Sequence, residues 1–141
     1  MVHRTVAAAP ATETFPAVIS AAGLPSGAVG AAYRATLAAT GGVTPYAWSV
    51  SAGALPAGLS LDSSSGVIDG TPTTLGTSAF IVTVTDDLST TDSKALSIEV
   101  YLVELVITTT ALPVGAVDAA YSTTLAGSGG VPPYALSVSS G

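Results

Sequence analysis

Carboxylates are the main reactive groups of this sequence. Nine Asp and Glu side chains face only three Lys and Arg, with one histidine and no cysteine in 141 residues. Asp62, Asp69, Asp86, Asp87 and Asp92 stand in or next to turns rich in Gly, Ser, Thr or Pro, and Glu104 interrupts the apolar run VYLVELVI. Hard divalent cations draw their ligands from carboxylate, hydroxyl and carbonyl oxygens, so these six residues are the candidate calcium ligands, with Asp118 able to contribute from further along. No DxDxDG-type loop orders them. The same aspartates serve equally well as turn caps and as the charge that keeps a weakly charged surface hydrated.

Other chemistries find less support. A Ser/His/Asp arrangement would need His3, which lies in an Ala/Thr/Pro-rich stretch away from any apolar scaffold. Asp86 and Asp87 are adjacent in a polar segment expected to be exposed, where nothing would raise the pKa of either. An amide cross-link from Lys94, the only lysine, would need a neighbouring Asn or Asp, and the chain contains no Asn. Tyr101 is the one aromatic outside the expected core pattern and so the one candidate for a sugar platform. Arg4, Arg34 and Lys94 cannot assemble a basic patch, which argues against nucleic acid and anionic membrane surfaces as partners. No catalytic residue is assigned, and the expected protein is not an enzyme. No apolar run approaches the ~18 residues of a membrane span, and the N-terminus lacks the apolar stretch of a signal peptide.

The elements that position these residues follow from alternation and punctuation. Tyr33 and Leu37 point inward on one predicted strand, and Trp48 and Val50 on the next. Phe80, Val82 and Val84 share one face of Ser78–Thr85, and Leu96, Ile98 and Val100 one face of the last strand. Gly/Pro turns separate about seven short strands at roughly 8–12-residue spacing, and no helical period is present, which together predict an all-β sandwich.

The chain also repeats itself. Leu24–Gly53 returns as Leu112–Gly141, offset by 88 without a gap, and 21 of the 30 positions are identical. Residues 1–16 are expected to be a linker or N-terminal extension, 17–103 a complete repeat, and 104–141 the N-terminal half of a second. Leu136 replaces Trp48 and Asp118 replaces Gly30 in the second copy, leaving open whether Asp118 disturbs the turn. No long linker separates the copies, which favours a stiff end-to-end array. A half repeat should have open edges and an exposed apolar face. Three explanations stand side by side: a cut from a longer array, docking of the half on the first repeat, or completion by another chain to give dimers or an open filament.

The motifs Tyr33-x-x-x-Leu37, Gly41-Gly42-x-x-Pro45-Tyr46-x-Trp48, Leu55-Pro56-x-Gly58-Leu59, Gly66-x-Ile68-x-Gly70-Thr71-Pro72 and Phe80-x-Val82-x-Val84-x-Asp86 occur in that order. Together they resemble the He_PIG immunoglobulin-like repeats of bacterial surface proteins, relatives of the cadherin-like domains. The resemblance implies a seven-strand Greek-key β-sandwich in tandem within a secreted, cell-surface or phage-surface protein. It implies a spacer, stalk, adhesion module or self-assembling filament subunit whose partners are neighbouring repeats or further copies. Cadherin-like relatives bind calcium at or between domain ends, so a calcium-rigidified adhesion module is one alternative. A carbohydrate-binding accessory module of a secreted enzyme is the other.

Overall fold

Alternation sets the two long strands around which the first repeat forms. In the computed structural model, which describes residues 15–141, β8 (Gly76–Thr85) and β9 (Thr91–Tyr101) pair antiparallel over ten residues, from Gly76↔Val100 to Thr85↔Thr91. Their inward side chains, Phe80, Val82, Val84, Leu96, Ile98 and Val100, are all buried. The outward residues between them are mostly Ser, Thr and Ala. Strands with one buried face need this period of two, and a slip by one residue would turn the whole apolar set to water. The expected linker, residues 1–16, and His3 fall almost wholly outside the described residues.

Preceding strands cover that hairpin. These are β1 (Val18–Ile19), β2 (Gly27–Ala28), β3 (Tyr33–Thr36), β4 (Ala39–Thr40), β5 (Ala47–Gly53), β6 (Leu59–Leu61) and β7 (Val67–Gly70). One sheet has the order β2-β9-β8-β5 and the other β3-β7-β6, with β1 paired to β4. The first strand therefore changes partner along its length: β1 runs antiparallel to β4, and β2 runs parallel to β9. Counting β1 with β2 and β3 with β4 gives seven strands, and the chain crosses between sheets at β2–β3, β4–β5, β5–β6 and β7–β8. Between the sheets lie Ile68, Val82, Val84 and Ile98, fully buried, with Trp48, Tyr33 and Leu37 around them. Each such side chain stabilises the fold by ~1.5–3 kcal/mol. Val50 departs from the expectation. It packs against the core but is only half-buried, because the β5–β8 register shifts just beyond it, between Val50 and Ala52.

The registers define two poles. The start of β1 and the β4–β5, β6–β7 and β8–β9 turns lie at an entry pole, whereas the β2–β3, β5–β6 and β7–β8 turns and Tyr101 lie at an exit pole. After four residues, Leu102–Leu105, the second repeat begins with β10 (Val106–Ile107) paired to β11 (Gly127–Ser128). This is the β1–β4 ladder displaced by 88 residues.

Candidate functional site

At the entry pole Asp86 departs from expectation. It is not an exposed loop residue but is 6% exposed, the one buried charged side chain among the described residues. Its Oδ1 accepts the N–H groups of Leu88 (3.0 Å) and Thr90 (2.8 Å), and its Oδ2 accepts that of Val43 (3.0 Å). One carboxylate thus closes the β8–β9 turn and ties it to the β4–β5 turn. The Thr90 side chain, then the backbone donors of Thr90, Val43 and Leu88, hold its pKa below the ordinary carboxylate value against the opposing effect of desolvation. The fit also explains a glycine. A Cβ at Gly42 would fall 2.8 Å from Asp86 Oδ2 and 2.9 Å from the Ala17 Cβ.

The other candidates do turn and strand work as well. Asp62 Oδ1 accepts from Ser64 N, Ser64 Oγ and Ser65 N at 2.7–2.9 Å, an Asx turn. The Ser64 hydroxyl, then the Ser65 and Ser64 N–H groups, hold Asp62 well below the usual carboxylate range. Asp92 Oδ2 accepts the Ile19 N–H at 2.8 Å and so pins β1 to β9. Asp69 faces Arg34 at 3.8 Å in an exposed pair that contributes little. The Asp87 backbone N–H donates to Val43 O, and Glu104 is exposed in the junction. Asp62, Asp86, Asp87 and Asp92 lie towards the entry pole, whereas Asp69 and Glu104 lie towards the exit pole. Among the described residues no three carboxylate or imidazole side chains converge on one point. Tyr101 is 50% exposed at the exit pole, on the end of β9.

The second repeat repeats local geometry with great fidelity. The Tyr33 hydroxyl donates to Pro25 O (2.9 Å) and the Tyr121 hydroxyl to Pro113 O (2.8 Å). The Ser20 N–H donates to Ala38 O and the Thr108 N–H to Ala126 O. Asp118 does not disturb its turn: it takes φ +60° where Gly30 takes +77°, a left-handed conformation that Asp tolerates better than most residues. What differs is burial. Trp48 is 5% exposed and its counterpart Leu136 51%. Leu105, Ile107, Leu125, Tyr134 and Leu136 line an open groove of about 330 Å³, the position of the core in the first repeat. The apolar face is not docked on the first repeat. The two repeats meet instead at the junction, where a Cβ built on Gly30 would lie 3.3 Å from Val131 Cγ1; the bond from Gly130 N–H to Val103 O (2.7 Å) repeats that from Gly42 N–H to Phe15 O in the first repeat. The offset of 88 was enough to locate this face in the sequence; the backbone-pinning roles of Asp86 and Asp92 had no local signal.

Two solved structures share the fold. They are a putative alpha-galactosidase/melibiase and a putative alpha-galactosidase, both from Bacteroides fragilis NCTC 9343, with TM-scores of 0.53 and 0.54 and 22% identity. The matches cover 60% and 66% of this chain but only 17% and 19% of theirs. Protocadherin Gamma B7 extracellular cadherin domains 1–4 align with a TM-score of 0.48 and 20% identity, over 70% of this chain and 28% of that one. No curated protein sequence matches. Among the described residues no helix is long and apolar enough to cross a membrane. The family model described as "Putative Ig domain" matches residues 15–101, the segment that builds the complete sandwich, and the chain belongs to that family.

Proposed function

We propose that this chain is a non-enzymatic extracellular module that acts as a spacer or stalk in a tandem array and presents or separates other parts of a surface protein. The observation that carries this reading is the junction. Only Leu102–Leu105 join β9 to β10, and Val131 of the second repeat approaches Gly30 in the β2–β3 turn at the exit pole of the first. Four residues with this contact leave little room for independent tumbling. Partners are neighbouring repeats of the same kind, joined end to end through junctions like this one. Residual dipolar couplings test the reading. Amides of β8–β9 and of β10–β11 should fit one alignment tensor, and two independent tensors would make the array a flexible string.

A second reading, an accessory carbohydrate-binding module, is supported by the half-exposed Tyr101 and by the shared fold with part of two chains described as α-galactosidases. Glycan pull-down abolished by Tyr101→Ala would favour it.

A further inference from the structure

Most left-handed glycines of the first repeat are required by their own fold. A Cβ on Gly41, Gly53, Gly58 or Gly70 would collide with backbone atoms of the same repeat. Gly30 differs. The three atoms nearest a Cβ built there, at 3.3, 3.5 and 3.8 Å, all belong to the side chain of Val131 in the second repeat. Nor does its turn demand glycine. The counterpart Asp118 is also left-handed, and the Ala119 N–H donates to Ala116 O there as the Ala31 N–H does to Ala28 O. What a missing side chain at residue 30 provides is room for the neighbouring repeat.

Both sides of this contact are anchored in their own repeats. The Gly30 N–H donates to Pro72 O and the Val29 N–H to Tyr101 O, both at 2.9 Å, so the tip of the β2–β3 turn is tied to the β7–β8 turn and to the end of β9. Val131 follows the left-handed pair Gly129-Gly130, which the Tyr134 hydroxyl holds through Gly129 O and Val103 O holds through the Gly130 N–H. Valine branches at Cβ and has little rotamer freedom, so its two methyl groups form a stiff projection. Leu102–Leu105 attach the second repeat at one point, about which it could still swing. A second point of contact fixes its direction. Val43, after Gly41-Gly42, supplies the same projection at the entry pole of the first repeat.

We propose that Gly30 is the specificity-determining residue of the contact between successive repeats. The bare α-carbon at the tip of the β2–β3 turn receives the β-branched aliphatic side chain that follows a Gly-Gly pair in the next repeat. The partner surface is therefore the entry pole of a repeat with valine at the position of Val43 and Val131. An exit pole with aspartate at this position, the residue the second repeat carries, fills the same space with a Cβ and a carboxylate, and the carboxylate loses hydration against an aliphatic side chain. Junctions of the two types are not interchangeable. The partner class rests on the tandem-module reading, which alignment of the unsubstituted chain tests; the contact has signals of its own, so either can fail alone.

The test uses the full chain. Magnetisation should pass between the Gly30 α-protons and the Val131 methyl groups in the unsubstituted protein, and absence of that cross-relaxation overturns the proposal. Two variants then break the contact from opposite sides. Gly30→Asp installs the residue that the same turn carries at position 118, and Val131→Ala removes both methyl groups. Each should leave unfolding of the first repeat, followed by Trp48 emission, cooperative. Residual dipolar couplings of the second repeat should lose the orientation they share with β8–β9 in the unsubstituted chain. The double variant should lose no more than either single one, because both remove the same contact. An orientation unchanged in Val131→Ala makes the four-residue connection sufficient and overturns the proposal, whatever Gly30→Asp does. Additive losses in the double variant overturn it too. Two independent tensors in the unsubstituted chain would refute the stiff array, and the cross-relaxation would still decide the contact.

Discussion

Leu37 and Leu125 occupy the same position in the two repeats, 88 residues apart, yet one is 3% exposed and the other 41%. Truncating each to alanine therefore reads the difference between a closed and an open sandwich. Leu37→Ala deletes three carbons from the buried core cluster that also holds Tyr33, Trp48 and Ile68, and such truncations cost about 2–5 kcal/mol once the residual cavity is included. For a repeat of this size each kcal/mol is worth roughly 4–8 °C, so the melting temperature should fall by about 10 °C or more. Leu125→Ala removes the same atoms from a face already in water and should cost the first repeat less than about 0.5 kcal/mol. Trp48 is the only tryptophan, so its emission during urea unfolding reports the first repeat alone. Equal shifts in the two variants, or a Leu37→Ala shift below about 0.5 kcal/mol, would refute both the core assignment and the open face.

Three further outcomes are expected. The folded-state pKa values of Asp62 and Asp86 are depressed, so their contribution is present above the unfolded value of 3.8 and is lost as pH falls through the folded values. Thermal melts should accordingly vary little from pH 8 to 5 and drop below about pH 4, with Asp86→Asn less stable at pH 7 and less sensitive to acid. Gly66→Ala should destabilise the first repeat and perturb Trp48 emission, because the new Cβ would lie 2.8 Å from Trp48 Nε1 on a backbone at φ +70°; an unchanged melt would count against that packing. Melting temperatures in calcium and in EDTA should coincide, since the turn carboxylates are divided between two poles and three already accept backbone N–H groups. A clear drop in EDTA would identify them as calcium ligands.

The sandwich and its inward faces were legible because a half-buried strand writes its period directly into the sequence, as in Phe80-x-Val82-x-Val84. Repetition made the second unit legible too, down to the β10–β11 ladder. Asp86 was not, because a carboxylate in a polar loop reads as solvated, and its burial depends on a donor from Val43, 43 residues away. The division of the acidic residues between the poles was equally hidden. It follows from strand order and crossovers, which depend on pairings such as Gly27↔Val100 rather than on any local pattern. That Val50 is only half-buried was hidden for a related reason: the register shift beside it belongs to the pair of strands and not to either alone.

The parallel pairing of β2 with β9 has a consequence for how the module bears tension. The chain enters at one pole and leaves at the other, and Gly27↔Val100 and Ala28↔Tyr101, with the Val29 N–H bonded to Tyr101 O, join its first and last strands side by side. Pulling on the two ends drags these strands in opposite directions along their common axis. The bonds between them are then loaded together in shear, whereas an antiparallel hairpin pulled from its open end parts one bond at a time. Resistance to rupture is a matter of unfolding rate rather than of equilibrium stability. In this fold it resides in a two-residue ladder at the exit pole, next to the junction through which the next repeat would transmit the pull.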